Sequence, residues 1–355
     1  MLSPGATIGI LGGGQLGRMT ALAAARLGFR THIFATEADS PGSQVTPLVT
    51  IGRFDDVEAL RRFAETVDIV TYETENIPLE TVSAILPIRE VLPGADVLRV
   101  TQDRLLEKDF IRGIGVPTAP YQAINGIEEL RAALLAIEGR AILKSVRMGY
   151  DGKGQVPVDR RSDAAVAWRR MGGEQGILEG FVDFRCEISV IVARGLDGSV
   201  AAYPAVENHH ANHILDRTIA PARVEPAVAA AAEAAALGIA NALDVKGLLA
   251  VEMFVTRDDR VLVNEVAPRP HNSGHWTMDA CYTDQFEQLV RAITGLPLGS
   301  TDRHSDAEMR NLIGPEVATW ASWLDQPRTK LHLYGKKDAP IGRKMGHVTT
   351  LKPRS

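Results

Sequence analysis

The sequence has few cysteines and no excess of basic residues. Among its 355 residues only Cys186 and Cys281 occur, far apart in the chain, so it contains neither a disulfide framework nor a C-x-x-C pair. This usage favours a reducing compartment. The formal net charge is −5, and the absence of a basic run argues against nucleic acid as a partner.

Long apolar stretches are also missing. The alanine-rich run at 227–242 contains Glu233 and Asn241 and is too short to cross a bilayer. Met1 to Ala6 do not have the character of a signal peptide. We therefore expect a soluble cytoplasmic protein that binds no membrane. A chain of 355 residues predicts two or three domains.

The Walker A pattern G-x-x-x-x-G-K-[ST] does not occur, but another glycine-rich stretch does, at 147–155. It lies between two short apolar segments, 141–145 and 155–158, that predict strands. Glycine-rich backbone can turn N–H groups toward phosphate oxygens, while Lys144 and Lys153 supply charge. Because Asp-Gly is also a strong turn signal, a phosphate-binding loop and a plain hairpin both remain open.

A second glycine motif lies near the N-terminus. Gly12, Gly14 and Gly17 form G-x-G-x-x-G between a strand predicted at 7–11 and a helix, with Glu37 beyond the next strand. This pattern predicts a dinucleotide site. The same glycines suit any strand-to-helix turn that holds an anion at the helix N-terminus. An NAD-dependent oxidoreductase is therefore one hypothesis among others.

Two acidic residues follow the strand predicted at 68–72. Glu73 and Glu75 stand where the carboxyl end of a parallel strand is expected, and ligands of open α/β sheets bind at such ends. The two glutamates equally fit the turn before a helix over 78–86.

Three histidines, His209, His210 and His213, follow a strand predicted at 200–206. Zinc would need a fourth ligand, and no suitable one stands at the right spacing. A polar loop near a ligand is the favoured interpretation.

Two apolar strands at 247–255 and 260–266 predict an antiparallel hairpin. A two-residue or four-residue turn places Glu252 directly opposite Glu265, with Cβ atoms roughly 4.5–5.5 Å apart. Opposed like charges in an apolar hairpin are destabilising, and a divalent cation bound by oxygen ligands, such as magnesium, removes the conflict. A register slip of one residue would instead turn one glutamate to solvent.

Together these features resemble the ATP-grasp enzymes, and more closely the 5-(carboxyamino)imidazole ribonucleotide synthase family. Three stretches carry the closer resemblance: Ile10-Leu-Gly-Gly-Gly-Gln-Leu-Gly-Arg18-Met19, Gly149-Tyr-Asp-Gly-Lys-Gly-Gln155, and Asn264-Glu-Val-Ala-Pro-Arg269-Pro-His271-Asn-Ser-Gly-His275-Trp276.

The resemblance implies an α/β protein in three parts. These are a Rossmann-like pre-grasp domain at 1–100, an ATP-grasp domain at 101–295 with a lid at about 147–155, and a small β-rich C-terminal domain at 296–355.

The resemblance further implies ATP and Mg²⁺ as cofactors. The ATP-binding residues it implies are Arg104, Lys144, Gly149, Tyr150, Asp151, Gly152, Lys153, Gly154, Gln155, Glu179, Gly180, Phe181, Val182, Glu187, His210, Asn264 and Glu265. Glu252 and Glu265 would bind the metal. Many ATP-grasp enzymes have Asn two residues after the second glutamate, whereas Ala267 stands there in this sequence. Asn264 would lie on the wrong face unless its strand bends.

The acceptor side is also implied by the resemblance. Its residues would be Gly14, Gln15, Glu73, Tyr150, Asp151, Arg269, His271, Asn272, Ser273, Lys336 and Arg343, with Tyr150, Asp151, Arg269 and His271 catalytic. Arg269 could clamp bicarbonate with two parallel hydrogen bonds, and His271 could accept the proton lost by the acceptor amine.

The implied reaction is the ATP- and bicarbonate-dependent carboxylation of aminoimidazole ribonucleotide through carboxyphosphate, in purine synthesis, by a homodimer. Another ATP-grasp ligase or a formyltransferase of nucleotide metabolism is the nearest alternative. The NAD-dependent oxidoreductase and a catalytically inactive nucleotide-binding regulator belong to different classes.

Overall fold

The computed structural model of the protein describes residues 1–147 and 154–355. The expectations for Gly149, Tyr150, Asp151, Gly152 and Lys153 of the lid lie outside the described residues.

The first hundred residues form a parallel four-stranded sheet with helices around it, in the order β3-β2-β1-β4. Because β1 and β4 pair in parallel, the glycine motif after β1 and Glu73 after β4 emerge at the same sheet edge. The elements are β1 (Thr7–Leu11), α1 (Gln15–Arg26), β2 (Arg30–Ala35), β3 (Leu48–Ile51), α2 (Val57–Glu65), β4 (Ile69–Tyr72), α3 (Leu79–Ile85) and α4 (Ala95–Thr101).

The next stretch builds an antiparallel sheet in the order β5-β8-β6-β7. Helices α6 and α7 cover one of its faces, where Leu143 and Leu178 are buried. Side chains alternate along a strand, so Lys144 and Glu179 belong to the opposite face. The elements are α5 (Arg104–Gly113), β5 (Tyr121–Ile124), α6 (Ile127–Ala136), β6 (Arg140–Ser145), β7 (Gln155–Asp159), α7 (Ala164–Met171) and β8 (Gly176–Gly180).

A nine-stranded sheet completes the molecule, in the order β14-β13-β9-β11-β12-β15-β17-β16 with β10 beside β9. The C-terminal strands β15, β17 and β16 belong to this same sheet, because β15 pairs with β12. The elements are β9 (Phe184–Arg194), β10 (Val200–Ala202), β11 (Val206–Ala211), β12 (Ile214–Ala220), α8 (Pro226–Ala242), β13 (Gly247–Thr256), β14 (Val261–Ala267), α9 (Thr277–Ala280), α10 (Gln285–Thr294), β15 (Asp306–Ile313), α11 (Trp320–Trp323), β16 (Thr329–Leu333) and β17 (Lys344–Lys352).

The sequence misassigned the segment that contains the three histidines. The single strand expected at 200–206 is two strands, and the expected polar loop is mostly strand β11, paired with β12. The connection is a two-residue turn, Asn212-His213, in which both residues have positive φ, 51° and 66°. Such a turn matches the twist of a hairpin, but its Asn-His sequence is a weaker signal than Asn-Gly.

The alanine-rich helix α8 packs against the large sheet through one stripe of side chains. Val228, Ala232, Ala236 and Ile239 are buried at a spacing of three or four residues, as expected for one helix face. In residues 1–147 and 154–355, no helix is both long enough and apolar enough to cross a membrane.

Helix α5 offers a test of local structure. Asp103 caps it by accepting hydrogen bonds from the amides of Leu105 and Leu106, both at 3.1 Å. We expect Asp103→Ala to lower the free energy of unfolding by about 0.5–2 kcal/mol, measured by urea denaturation. Asp103→Asn keeps a capping oxygen and should change it little. An equal loss in both variants would mean that the charge, not the cap, stabilises the helix.

Candidate active site

A cavity of about 670 Å³ lies where the three sheets meet. Most of the residues implied by the resemblance line it, although they come from distant parts of the chain. They are Gly14, Gln15, Glu73, Arg104, Lys144, Gln155, Glu179, Gly180, Phe181, Val182, Glu187, His210, Glu252, Asn264, Glu265, Arg269, His271 and Asn272. Gly154, Ser273, Lys336 and Arg343 are not part of its lining.

The N-terminal glycine motif surrounds a side chain of the protein itself. The amide of Gly14 donates to Glu73 Oε1, and the amide of Gly17 donates to Glu73 Oε2 at 2.6 Å. A Cβ at Gly12 or Gly14 would stand 2.4 or 2.6 Å from the Glu73 side chain. Burial raises the pKa of Glu73, and the two amide hydrogen bonds oppose that rise. The place where a dinucleotide would set its pyrophosphate therefore holds a carboxyl group.

The hairpin brings the two glutamates together as the sequence predicts. Glu252 and Glu265 are directly paired across β13 and β14. Nearer the turn, however, Met253 pairs with Val263, so Asn264 is an extra residue and forms a β-bulge. Between the turn and the bulge, the pairing expected from the turn was wrong by one residue. The extra residue at the bulge restores the expected pairing at Glu252 and Glu265.

The bulge also changes the position of Asn264. Both Asn264 and Glu265 line the cavity, although adjacent residues of a regular strand face opposite sides. Asn264 Oδ1 is buried and has no hydrogen-bond partner among the described residues. Two opposed carboxylates and an unsatisfied amide oxygen form an oxygen-rich donor set that fits a hard cation such as magnesium.

Each of the opposed glutamates contacts a basic side chain. Arg104 Nη1 donates to Glu265 Oε2 at 2.9 Å, and His271 Nε2 lies 2.9 Å from Glu252 Oε1. Burial would raise the pKa of Glu265, but the charge and hydrogen bond of Arg104 outweigh it and lower that pKa to about 2. Glu265 is therefore ionised at neutral pH.

On the facing wall, two strands of the antiparallel sheet form a buried ion pair. Glu179 Oε2 accepts from Lys144 Nζ at 2.8 Å, and Lys108 Nζ lies 3.9 Å from Glu179 Oε1. Burial alone would raise the pKa of Glu179, but the charges of the two lysines dominate and lower it. The Glu179 carboxylate thus holds the ammonium group of Lys144 in place at the cavity wall.

The cavity is also lined by residues 179–182 and by the pair Glu187 and His210. His210 Nδ1 is 3.3 Å from Glu187 Oε1. Burial lowers the pKa of His210, but the hydrogen bond and charge of Glu187 give a net rise. Among the His, Cys, Asp and Glu residues of 1–147 and 154–355, Glu187, His210 and Glu252 are the one group of three whose potential metal-binding atoms lie within 4.8 Å of one another. Of the three neighbouring histidines, only His210 belongs to it.

Arg269 also lines the cavity, and its guanidinium is anchored. Its Nε and Nη2 donate to the two oxygens of Glu75, and its Nη1 donates to the carbonyl of Pro270 at 3.2 Å. Burial would lower the pKa of Arg269, and the charge of Glu75 gives a net rise. One N–H on Nη1 and one on Nη2 take no part in these bonds.

Lys336 lies next to the cavity lining, and Arg343 lies near Lys336. Lys336 Nζ donates to the carbonyl of Lys344 at 2.6 Å, and Lys344 lines the cavity. Burial, with the nearby charge of Arg343, lowers the pKa of Lys336 to about 8. Arg343 Nη1 donates to the carbonyl of Asp338 at 3.2 Å.

Sequence reasoning missed residues that support this site, among them Glu107, which itself lines the cavity. Gln285 accepts from the amide of His271 at 2.9 Å and donates to its carbonyl at 2.8 Å, which fixes the loop that carries the imidazole. Glu107 and Lys108 contact β14 beside the glutamate pair. Their spacing from Arg104 along one face of α5 was the available signal.

Family models match nearly the whole chain. A ribonucleotide synthetase pre-ATP-grasp domain matches residues 5–102, an ATP-grasp domain matches 109–286, and a phosphoribosylaminoimidazole carboxylase C-terminal domain matches 307–355.

Similar proteins agree with these matches. The N5-carboxyaminoimidazole ribonucleotide synthase of Brucella melitensis is 47% identical over 356 residues, which are 100% of this chain and 98% of that protein. The bifunctional purine synthesis protein purC/E of Dictyostelium discoideum is 47% identical over 371 residues, covering 98% of this chain but 37% of that longer protein.

Solved structures give the same result. An ADP complex of an N5-carboxyaminoimidazole ribonucleotide synthetase superposes with a TM-score of 0.96 at 41% identity, covering 99% of this chain and 94% of that one. The synthase of Aspergillus clavatus in complex with ADP and 5-aminoimidazole ribonucleotide gives a TM-score of 0.92 at 32% identity, covering 99% and 95%.

The three-part fold and the charged cavity define an ATP-grasp enzyme, an ATP-dependent ligase. Within that class, the chain belongs to the N5-carboxyaminoimidazole ribonucleotide synthase family.

The contact between Gly14 and Glu73 can be tested by substitution. Gly14 has φ −75°, which alanine adopts freely, so Gly14→Ala introduces only the overlap with Glu73. We expect a loss of about 1–3 kcal/mol in the free energy of unfolding, measured by chemical denaturation. Gly238→Ala is the control, because a Cβ there meets nothing within 4 Å. If Gly14→Ala were as stable as the control, the glycine would not be required by Glu73.

Proposed function

We propose that this protein uses ATP and bicarbonate to carboxylate 5-aminoimidazole ribonucleotide, giving N5-carboxyaminoimidazole ribonucleotide in de novo purine biosynthesis. The observation that carries the proposal is that a single cavity is lined by the opposed glutamates, by Lys144 and Glu187, and by Arg269. The similarity to N5-carboxyaminoimidazole ribonucleotide synthases, and the ADP and 5-aminoimidazole ribonucleotide bound in a similar structure, support it.

At the nucleotide end, Arg104 and Lys144 would contact the phosphates of ATP. Glu187 would accept from the ribose hydroxyls, with His210 beside it, and the backbone at 179–182 would hold the adenine. The amides of Gly180 and Phe181 already donate to Pro120 and Arg140 carbonyls at 2.8 and 3.0 Å, so this wall is rigid before the base arrives.

Glu252, Glu265 and the oxygen of Asn264 would hold Mg²⁺. The ion would neutralise the charge that develops on the phosphates. The donor set fits it because it combines two opposed carboxylates with a buried oxygen that has no partner among the described residues.

The chemistry then takes two displacements. A bicarbonate oxygen attacks the γ-phosphorus of ATP, ADP leaves, and carboxyphosphate forms. The exocyclic amine of the acceptor attacks the carboxyl carbon, phosphate leaves, and the nitrogen loses a proton.

His271 would manage that proton. Its Nδ1 accepts from the amide of Ser273 at 3.3 Å and lies 2.8 Å from Ser273 Oγ. An accepting Nδ1 leaves the ring proton on Nε2, the atom that faces Glu252. Nε2 can therefore accept the proton of the amine only after it has passed its own proton to Glu252.

Bicarbonate would bind at Arg269. Glu75 fixes the plane of the guanidinium, and the remaining N–H groups on Nη1 and Nη2 form the planar fork that a small anion needs. The acceptor phosphate would lie near Lys336 and Arg343, with Gly14, Gln15 and Glu73 on the same side. From the resemblance of the sequence we also propose a homodimer, a cytoplasmic location, and no binding to nucleic acid or membranes.

The requirement for bicarbonate is the decisive test. ADP release with 5-aminoimidazole ribonucleotide should depend on bicarbonate in degassed, depleted buffer, and formate, glycine or D-alanine should not replace it. Arg269→Lys should be severely impaired, because an ammonium group lacks the fork. Arg53→Lys, an exposed arginine paired with Asp55, is the matched control. Full-rate release with formate and none with bicarbonate would point to a different ATP-grasp ligase.

The role of Lys336 predicts a pH dependence. With a pKa of about 8 instead of 10.5, Lys336 is charged below pH 8 and loses its charge as the pH rises through that value. We expect kcat/KM for the acceptor to fall above about pH 8, and Lys336→Arg to remove this fall. Lys336→Ala should raise the acceptor KM roughly tenfold or more, the loss of a charge-assisted contact, with little effect on ATP binding.

Lys337→Ala is the control for Lys336, because Lys337 is the adjacent residue, is exposed and pairs with Asp39. A kcat/KM that stays constant to pH 10 in the wild type would contradict the assignment. So would an equal loss of ATP affinity in Lys336→Ala, since Lys336 would then belong to the nucleotide site.

A further inference from the structure

One face of helix α5 is directed at the bulge that aligns the glutamates. Arg104, Glu107 and Lys108 stand at positions i, i+3 and i+4 and are buried, so their side chains share one face. All three contact a short stretch of β14. Arg104 pairs with the side chain of Glu265, whereas Glu107 and Lys108 contact the backbone on either side of it.

The backbone contacts satisfy groups at the open edge of the sheet. β14 is the last strand of its sheet, so its outer backbone groups must find partners outside the sheet. Val263 forms an isolated bridge with Thr118, and its amide donates to the carbonyl of Pro117 at 2.8 Å. Lys108 Nζ donates to the carbonyls of Val263 and Asn264 at 3.3 and 2.6 Å. Glu107 Oε2 accepts from the amide of Val266 at 3.1 Å. These bonds span the bulge residue from both ends.

Burying the ammonium group of Lys108 costs folding free energy. Lys108 has no exposed surface, and a buried ammonium group destabilises the fold unless partners replace its water. Its partners are the two bulge carbonyls and the Glu179 carboxylate, 3.9 Å away. An apolar side chain would avoid that desolvation, but it would remove the hydrogen bonds that Lys108 donates to the carbonyls of Val263 and Asn264.

The bulge decides which side chain faces Glu252. Between the turn and the bulge, Met253 pairs with Val263. Continued without the extra residue, that register would place Asn264 opposite Glu252 and turn Glu265 to the other face, because a one-residue shift reverses every side chain.

We propose that Lys108 and Glu107 are positioning residues, which hold the bulge at Asn264 and thereby bring Glu265 to face Glu252. This inference rests on the proposed role of the two glutamates as magnesium ligands. Neither Lys108 nor Glu107 needs to touch the nucleotide or the acceptor for this role.

The first experiment compares Lys108→Met with the wild type. Methionine keeps an unbranched chain of similar length but donates nothing to the two carbonyls. Isothermal titration calorimetry would measure ADP binding with Mg²⁺ and with EDTA. We expect the factor by which Mg²⁺ strengthens ADP binding to fall roughly tenfold or more, which is the usual loss when a residue that supports a metal ligand is removed. ADP binding in EDTA should change much less. Arg112→Met, on the exposed side of the same helix, should behave as wild type.

Glu107 gives a second test that does not disturb Glu179. Glu107→Leu removes the acceptor for the Val266 amide, whereas Glu107→Gln keeps an oxygen in its place. In Glu107→Leu we expect faster hydrogen exchange at the Val266 amide and a smaller effect of Mg²⁺ on ADP binding. In Glu107→Gln both quantities should return most of the way to their wild-type values. Should Lys108→Met fail to fold, this pair decides the question.

Glu265→Gln separates this inference from the proposed function. If Glu265→Gln keeps the full magnesium effect, the assignment of the metal ligands is wrong. If Glu265→Gln loses it while folded Lys108→Met and Glu107→Leu keep it, the ligands stand and the positioning role is wrong. Loss of ADP binding in EDTA equal to that in Mg²⁺ would also overturn the positioning role, since Lys108 would then act on the nucleotide site as a whole.

Discussion

The repulsion between Glu252 and Glu265 is the constraint around which this site is arranged. Two unit charges at roughly 5 Å repel by roughly 3 kcal/mol at the effective dielectric of a protein surface. The chain tolerates the pair by supplying a basic group to each member, Arg104 to Glu265 and His271 to Glu252. These two groups come from a helix and a loop that the fold brings to the same hairpin.

Other charged side chains of the cavity are also paired with a group of opposite charge. Lys144 is paired with Glu179, and Arg269 with Glu75, so these cations already have carboxylate partners from other elements. The charge of each of these cations is thus already compensated by a carboxylate. A polyphosphate or a bicarbonate entering the cavity must compete for cations that are held in place but already engaged. Binding is therefore an exchange of partners, in which the protein's own carboxylates become available to a metal or a hydroxyl group.

The sequence predicted the parts of this site that depend on local patterns. The strand before Gly12 and the opposed glutamates follow from apolar periodicity and hairpin pairing, and the structure has both. The bulge at Asn264 did not follow, because it is fixed by side chains of Glu107 and Lys108 some 155 to 159 residues away in sequence. The pairing of Arg269 with Glu75 is equally long-range, at 194 residues.

The N-terminal glycines show how a correct local inference can lead to the wrong ligand. The pattern predicted a strand-to-helix turn whose amides bind an anion, and the structure has that turn. The anion is the carboxyl group of Glu73, delivered by the neighbouring parallel strand. An internal carboxyl satisfies the helix N-terminus as a phosphate would, and it leaves no room for a pyrophosphate against the same amides. Only the strand order, with β4 beside β1, brings Glu73 there, and strand order is a property of the whole domain that no motif of six residues contains.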